Sequence, residues 1–260
     1  MRRYNDYQPS FSVITVVLRD LDGLKRTYAS LASQHYAHWE WIVCDGGSGG
    51  EITRFLQEVT GPVHWVSEKD AGIYDAMNHG VSMCSGDYVV FMNAGDIFHD
   101  SEALAKVAEA LSADDQVADI LFGGAMLSFP GSGRMVYRPP RIAEDSLWHG
   151  LPANHQATFY RKSLLDKTPY DLQYSLCGDY YLAATLMQKG AHAIYLDAPL
   201  ATFEVGGQSY KKLGQLFVEP YRIQRDVLGS PLHYRLASVA KRFVSTLGFV
   251  LLSQPVFRKK

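Results

Sequence analysis

The sequence predicts an α/β fold in which a mainly parallel sheet is covered by helices on both faces. Short β-prone runs alternate with stretches whose apolar residues recur three and four positions apart, which is the pattern of βαβ units. The chain has 260 residues, 47% of them hydrophobic, so it can bury the core of one large domain with a small appendage. Aspartate and glycine follow several runs, at the end of the sheet where α/β proteins bind ligands.

In the first half of the chain, predicted strands and helices alternate. β-Prone runs predict strands at 11–18, 39–44, 63–66, 88–92 and 120–122. Amphipathic spacing predicts the helices between them, which contain Leu24, Ile52, Ile73 and Leu104. Strands joined by helices in this way form right-handed crossovers, so we expect these strands to be parallel.

The second half is less regular. Runs at 125–129 and 135–138 flank Pro130–Gly133 and predict a β-hairpin antiparallel to the main sheet. Beyond it, the sequence predicts a strand at 157–160, a helix at 178–189 that stops at Gly190, and a strand at 193–196.

The C-terminal segment, residues 231–260, predicts a basic amphipathic helix. Its apolar side consists of Leu236, Val239, Ala240, Phe243, Val244, Leu247 and Leu251. Its opposite side consists of Arg235, Ser238, Lys241, Arg242 and Ser245, and Arg258, Lys259 and Lys260 follow. An apolar side backed by cations is typical of a helix lying in an anionic membrane surface. The alternative is a terminal helix docked on its own domain.

Composition narrows the class of partner and the compartment. A formal net charge of -2 leaves no basic excess, so we expect no nucleic-acid partner. Cys44, Cys84 and Cys177 lack metal-like spacing and are expected to be buried free thiols, which suits a reducing cytoplasm. The N-terminus carries no apolar signal segment, and no apolar run reaches the ~20 residues that span a bilayer.

Acidic residues stand where predicted strands end. Asp45 precedes a glycine-rich loop, where a carboxylate can accept hydrogen bonds from a nucleobase, although Asp-Gly-Gly is also ordinary turn chemistry. Asp70 and Asp75 lie at the start of the third helix and, with Asp96, could hold a divalent cation on two phosphates. Capping of that helix is the alternative for Asp70.

Three further residues are candidates for the chemistry. Asp179, at the head of a helix, is a candidate general base, with helix capping as its alternative role. His155 and Gln156 lie between an irregular loop and a strand and could contact phosphate, sugar or metal. A lone histidine is more often structural, and no Ser-His-Asp or Cys-His signature is present.

Read together, these motifs resemble the inverting family 2 glycosyltransferases of the GT-A fold. The resemblance covers residues 11–207 and rests on the order of six motifs: SVITVV, Asp45-Gly-Gly-Ser, EKDAGIYDAMN, Asn93-Ala-Gly-Asp96, His155-Gln156-Ala and Gly178-Asp179-Tyr. More narrowly, the amino-acid sequence in and around these motifs resembles bacterial exopolysaccharide enzymes of the colanic acid type. On this basis residues 1–230 form the GT-A domain, with 11–122 as the nucleotide-sugar-binding half and 123–230 as the acceptor and catalytic-base half.

The resemblance implies a role for each motif. Asp45 matches the aspartate that recognises the base, while Asp70, Asp75 and Asn93 lie at the donor nucleotide. Asp179 matches the catalytic base. A loop over donor and acceptor would contain Gly206, Gly207 and Ser209, alongside His155 and Gln156.

One departure concerns the metal. The family's Asp-x-Asp motif is replaced by Asn93-Ala94-Gly95-Asp96, so that Asp96 alone can be an anionic ligand. Mn²⁺ or Mg²⁺ is still expected from the resemblance, with a weaker dependence than usual.

The implied reaction is a single displacement that inverts the anomeric carbon of a nucleoside-diphosphate sugar. The donor base is open between uracil and guanine, and GDP-fucose is the donor that the colanic acid type suggests. The acceptor would be a polyprenyl-diphosphate-linked saccharide in exopolysaccharide or capsule biosynthesis, at the cytoplasmic face of the membrane. The alternatives are a non-catalytic nucleotide-sugar-binding subunit of an assembly complex and a sugar-nucleotide pyrophosphorylase, whose basic phosphate loop is missing after the first strand.

Overall fold

One mixed sheet of nine strands runs through the computed structural model, which describes residues 7–129, 133–205 and 214–253. For residues 247–253 only the backbone is described. The strands are β1 Phe11–Val17, β2 Trp39–Asp45, β3 Val63–Ser67, β4 Tyr88–Phe91, β5 Ile97–Phe98, β6 Ile120–Phe129, β7 Arg134–Arg138, β8 Thr158–Arg161 and β9 Ala193–Glu204. The helices are α1 Leu21–Ala32, α2 Gly50–Glu58, α3 Ile73–Met83, α4 Ala103–Ala113, α5 Ala143–Ser146, α6 Lys162–Leu165, α7 Gly178–Gln188, α8 Gln215–Asp226 and α9 Leu232–Ser253.

The order of the strands explains where ligands can bind. Along the sheet the order is β3-β2-β1-β4-β8-β6-β9-β5, and β7 pairs with residues 125–129 of β6. The first four strands are parallel to one another, and β9 is parallel to β6. Strand β8 runs antiparallel between β4 and β6. The carboxyl ends of β1, β2, β3 and β4 therefore lie at one edge, and the chain entering β8 meets them there.

Two apolar layers cover the sheet, because alternate residues of each strand face opposite sides. Val13 on β1 packs with α1, α2 and α4, whereas the next residue, Ile14, packs with α3 and α7. A third cluster joins α5, α7 and α8 through Tyr180 and Ile223. These layers confirm the predicted α/β class with a mostly parallel sheet, and the three cysteines are buried and free as expected.

Several elements differ from those predicted. The runs 120–122 and 125–129 form one strand, β6, whose pairing with β9 shifts at Gly123 and Gly124. The predicted strand 193–196 continues to Glu204, because that irregularity lets the strand pass Pro199. The sequence did not predict β5, α5, α6 or α8, and Pro220 inside α8 obscures its helical pattern.

Helix α9 docks on the domain through its polar side. Ser238 is 1% exposed and accepts a hydrogen bond from Gln224 Nε2 at 2.8 Å. The Arg235 guanidinium lies 5.0 Å from the ring centre of Tyr221 on α8. The apolar side points outward, with Phe243 60% and Val244 69% exposed. Within the described ranges, no helix has the length and apolar character to cross a bilayer.

Candidate active site

Three of the predicted aspartates line one cavity at the carboxyl ends of β2 and β3. Asp45, Asp70 and Asp75 share its wall with Glu68 and Lys69, and its volume is about 390 Å³. This volume lies within the range of small-molecule sites. Carboxylates outnumber cations there, so the cavity suits the N–H and O–H donors of a base or ribose better than it suits phosphate.

Asp45 holds the loop beside this cavity. Its buried carboxylate accepts hydrogen bonds from Ser67 Oγ at 2.6 Å and from both the backbone N–H and the hydroxyl of Ser48. Ser67 is the partner of Asp45 in the register of β2 with β3. The loop at Gly46–Ser48 is therefore fixed by Asp45, and recognition of a base by the same carboxylate stays a prediction.

Asp70 and Asp75 stabilise the turn before α3. Asp70 Oδ1 accepts from the N–H of Gly72, and Asp75 Oδ2 accepts from the N–H of Ala71, both at 2.9 Å. The N-cap of α3 is Gly72, whose φ of 132° favours glycine, so the alternative that Asp70 caps this helix is wrong.

The loop after β4 is anchored by α1. Thr27 Oγ1 donates to the carbonyl of Asp96 at 2.7 Å and accepts from the N–H of Gly95 at 3.0 Å. Gly95 has φ 98°, a backbone conformation that side chains with a Cβ disfavour. This turn directs Asn93 and Asp96 toward the loop that leads into β8.

Asn93, His155 and Asp179 form a line of side chains. Asn93 Nδ2 lies 3.1 Å from His155 Nε2, and His155 Nδ1 lies 3.7 Å from Asp179 Oδ2. If the amide donates to Nε2, the imidazole carries its proton on Nδ1, which faces the carboxylate. Three motifs far apart in sequence thus meet at one point, and Asn93 lies in this group and is not among the residues that line the cavity of Asp45, Asp70 and Asp75.

Asp96 pairs with the second residue of the His-Gln motif. Gln156 Nε2 donates to Asp96 Oδ2 at 3.0 Å. Burial raises the pKa of Asp96 to about 6, while His155, Gln156 and Asn93 act in the opposite direction. A carboxyl of this kind gains from a cation or an added donor, because either would offset its desolvation.

Asp179 stands in the first turn of α7, where the chain is tightly packed. A Cβ at Gly178 would lie 2.8 Å from the ring of Tyr74, so only glycine fits at the preceding position. Tyr74 donates to the carbonyl of Leu176 at 2.8 Å and thereby fixes this turn. The Asp179 side chain is 20% exposed, and burial raises its pKa although His155 opposes the shift.

Asp179 does not cap its helix by itself. The N-cap is Cys177, which has no side-chain capping bond, and Asp179 Oδ1 accepts from the adjacent N–H of Tyr180 at 2.8 Å. The turn that leads into the helix is held from α8, where the buried Glu219 accepts the N–H groups of Ser175, Leu176 and Cys177 at 2.8–3.0 Å. Sequence reasoning missed Glu219, which lies in a helix it did not predict.

The oxygen atoms around Asp96 fit a divalent cation. Among the described residues, no three His, Cys, Asp or Glu side chains gather in one group. However, Asn93 Oδ1 and Gln156 Oε1 are buried without a hydrogen-bond partner among the described residues, and the Gln156 side chain contacts the Asp96 carboxylate. One carboxylate and neutral oxygens are a sufficient protein contribution for Mg²⁺ or Mn²⁺ when phosphates supply further ligands. The predicted loop residues Gly206, Gly207 and Ser209 lie outside the described residues.

Comparison with known proteins identifies the family. The family described as Glycosyl transferase family 2 matches residues 12–169, more than half of the chain. An uncharacterized glycosyltransferase of Mycobacterium tuberculosis is 38% identical over 174 residues, which are 66% of this chain and 66% of that protein. The chain therefore spans slightly less than two thirds of that relative. A PGL/p-HBAD biosynthesis glycosyltransferase of Mycobacterium bovis is 28% identical over 247 residues, 90% of each chain.

Solved structures share the fold. One is the mannosyltransferase PcManGT from Pyrobaculum calidifontis, solved with GDP-Man and Mn²⁺, which has a TM-score of 0.67 at 17% identity. The match covers 96% of this chain and 77% of the PcManGT chain. Another is TarS 1–349 of S. aureus, solved with UDP-GlcNAc, which has a TM-score of 0.65 at 18% identity. That match covers 95% of this chain and 76% of the TarS 1–349 chain.

Proposed function

The chain belongs to glycosyl transferase family 2 and has the GT-A fold, and from that premise we propose an inverting transfer with Asp179 as general base. The donor is a nucleoside-diphosphate sugar and the acceptor a hydroxyl of a lipid-linked saccharide. The observation that carries this proposal is the meeting of Asn93 and Asp96, His155 and Gln156, and Asp179 at the carboxyl end of the parallel strands.

The donor nucleotide lies in the cavity of Asp45, Asp70 and Asp75. Base N–H and ribose O–H groups donate to these carboxylates, since the cavity carries few cations for phosphate. The diphosphate then extends from β2 toward the loop after β4, two strands along the sheet. Strand spacing makes this distance about 10 Å, which suits a nucleoside diphosphate. Residues 11–122 then form the donor-binding half of the site, and residues 123–230 form the acceptor-binding half and contain the base.

Asp179 removes the acceptor proton. The acceptor oxygen attacks the anomeric carbon as its proton passes to the Asp179 carboxylate, and the bond from that carbon to the phosphate oxygen breaks with its electron pair. Burial raises the pKa of Asp179 and so strengthens it as a base, while His155, whose Nδ1 lies 3.7 Å from the carboxylate, favours the ionised form. One displacement inverts the configuration and needs no covalent intermediate.

Negative charge develops on the leaving nucleoside diphosphate, near Asp96. Asp96, with the oxygens of Asn93 and Gln156, would hold a divalent cation, which when bound supplies positive charge to the leaving phosphates. The Mn²⁺ bound by the P. calidifontis enzyme supports this assignment by fold. Hydrogen bonds from Thr27 and Gln156 keep the loop and the Asp96 side chain in place for that task.

The acceptor side faces a membrane surface. Exposed Phe243 and Val244 on α9 would enter the interface of an anionic bilayer, while the polar side of the same helix stays on the domain. The protein would then act as a peripheral protein on the cytoplasmic face of the membrane, on a polyprenyl-diphosphate-linked saccharide. Assembly of exopolysaccharide or capsule is the process that the sequence resemblance favours.

A ligand panel tests the donor class. Thermal unfolding of the full chain is measured with UDP, GDP, UDP-GlcNAc, GDP-mannose and GDP-fucose, each with and without Mn²⁺. A ligand that binds the native state raises the midpoint, so one base is expected to give the larger shift. Donors of that base should also be hydrolysed slowly in the absence of acceptor. If none of these nucleotides shifts the midpoint, the proposal is wrong.

A further inference from the structure

Four cations lie together near the candidate base without carboxylate partners. We call Arg138, Arg141, Lys241 and Arg242 the basic cluster. None of the four forms an ion pair with any residue in the described part of the chain. Burial lowers the pKa of Arg141, and the charges of Arg138 and Arg242 lower it further. Like charges gathered in this way repel one another unless an anion joins them.

The cluster is organised around His149. Arg141 Nη1 lies 2.6 Å from His149 Nε2, and Arg141 Nη2 donates to the carbonyl of Leu151 at 2.7 Å. Arg242 donates to the carbonyl of His149, and the Lys241 ammonium lies 5.3 Å from the ring centre of Trp148. The loop at 148–151 therefore contacts Arg141, in the segment after β7, and both Lys241 and Arg242 of α9.

Two buried donors, one on His149 and one on Arg242 of the basic cluster, have no acceptor among the described residues. Burial lowers the pKa of His149 to about 4, and Arg141, Lys241 and Arg242 add to the shift, so the ring is neutral at pH 7. Its Nε2 then accepts from Arg141, which leaves the proton on Nδ1. His149 Nδ1 and Arg242 Nε are both buried without a hydrogen-bond partner. Buried donors of this kind usually have an acceptor, and here the described residues supply none.

The position of the cluster connects the membrane side with the base. The charge of Arg242 is close enough to contribute to the lowering of the Asp179 pKa that opposes burial. The loop at 148–151 continues into His155, which faces Asp179. On α9, Lys241 and Arg242 adjoin the outward Phe243 and Val244. An anionic group arriving along the membrane surface therefore reaches the cluster beside the acceptor half of the site.

We propose that the basic cluster binds the diphosphate of the acceptor, through Arg141, Lys241 and Arg242. This inference rests on the proposed function, because it assumes that Asp179 serves a lipid-linked acceptor. Guanidinium groups bind phosphate oxygens with two parallel hydrogen bonds, and the lysine adds a mobile charge. The same chemistry would suit the donor diphosphate, so the test must separate the two sources.

Calorimetric titration of the full chain separates them. The probes are farnesyl diphosphate, farnesol without phosphate, and whichever of UDP or GDP binds the wild type. The variants are Arg141→Gln and the exposed Lys241→Gln, which keeps the hydrogen bonds of Ser238 and Arg242 that dock α9. The control is Lys167→Gln, an exposed lysine two residues after α6. Charge-assisted hydrogen bonds of roughly 1.5–3 kcal/mol correspond to losses of about 10- to 150-fold.

Each variant is expected to weaken binding of farnesyl diphosphate by at least about tenfold and to leave nucleotide binding and donor hydrolysis unchanged. The control should match the wild type. Equal affinity of the wild type for farnesol and farnesyl diphosphate, or undiminished binding by both variants, overturns the inference. A parallel loss of nucleotide affinity assigns the cluster to the donor and also overturns it. Failure of the wild type to bind any nucleotide is a separate result, which contradicts the proposed function.

Discussion

The carboxylate of Glu219 accepts a hydrogen bond from the backbone N–H of Cys177 at 2.8 Å, two residues before Asp179. Through this contact and those with Ser175 and Leu176, α8 holds the turn from which the candidate base projects. Glu219 does not touch the reacting atoms and is therefore a positioning residue.

Glu219→Ala is expected to lower kcat while leaving the KM of the donor near its wild-type value. Three N–H groups lose their acceptor, and that of Cys177 is buried, so we also expect a loss of ~2–4 kcal/mol in the free energy of unfolding. Denaturant unfolding and steady-state kinetics measure the two effects. Glu219→Gln keeps one acceptor oxygen and should recover part of kcat. Glu109→Ala, an exposed glutamate on α4, is the control. A rise in donor KM with unchanged kcat would contradict a positioning role.

Asp96→Asn is expected to stabilise the metal-free protein at pH 8. The folded pKa of about 6 lies above the ordinary 3.8, so the native state binds the proton more tightly than the unfolded chain. The stability due to this group is complete below about pH 4 and is lost as the pH rises through 6. The asparagine variant avoids that loss, which is at most about 3 kcal/mol.

Unfolding in EDTA at pH 4.5 and pH 8 measures this difference. The variant should exceed the wild type at pH 8 and approach it at the lower pH. Asp100→Asn gives the opposite sign as a control, because its hydrogen bonds, chiefly that with Lys106, hold the pKa of Asp100 below its usual value against its desolvation. Equal stability of wild type and Asp96→Asn at both pH values would show that the Asp96 carboxyl carries no such penalty.

Removing the outward apolar side chains of α9 should release the protein from anionic vesicles. Burial of a phenylalanine and a valine is worth roughly 1.5–3 kcal/mol each, so Phe243→Ser/Val244→Ser is expected to reduce binding at least tenfold. Flotation with phosphatidylglycerol vesicles provides the measurement. The control is Val117→Ser/Met135→Ser, which removes two exposed apolar side chains outside α9. Equal flotation of the two double variants would rule out this face as the contact.

The sequence predicted the parts of the site that follow strands or begin helices. Asp45 follows a buried β-branched run, and Asp179 precedes an apolar helical repeat, so local pattern was sufficient for both. The meeting of Asn93, His155 and Asp179 required the strand order β4-β8, with β8 antiparallel, which no local pattern reveals.

Other features depend on contacts between distant segments. Glu219 lies more than forty residues beyond the turn that it holds, and no motif marks it. The periodicity of α9 predicted an apolar and a polar side, yet it could not tell that Ser238 and Arg242 of the polar side contact the domain. A polar inner side is possible because Gln224 and the carbonyl of His149 provide partners for those residues.

Asp179→Asn shows whether Asp179 is the base of a glycosyl transfer. The variant keeps the shape of the side chain but cannot accept the acceptor proton, and general-base catalysis contributes roughly 10²- to 10⁴-fold. The measurement is transfer to acceptor and nucleotide binding on the same preparation, with the exposed Asp115→Asn as control. We expect wild-type nucleotide affinity, with transfer reduced at least about 100-fold. Transfer at the wild-type rate would contradict it.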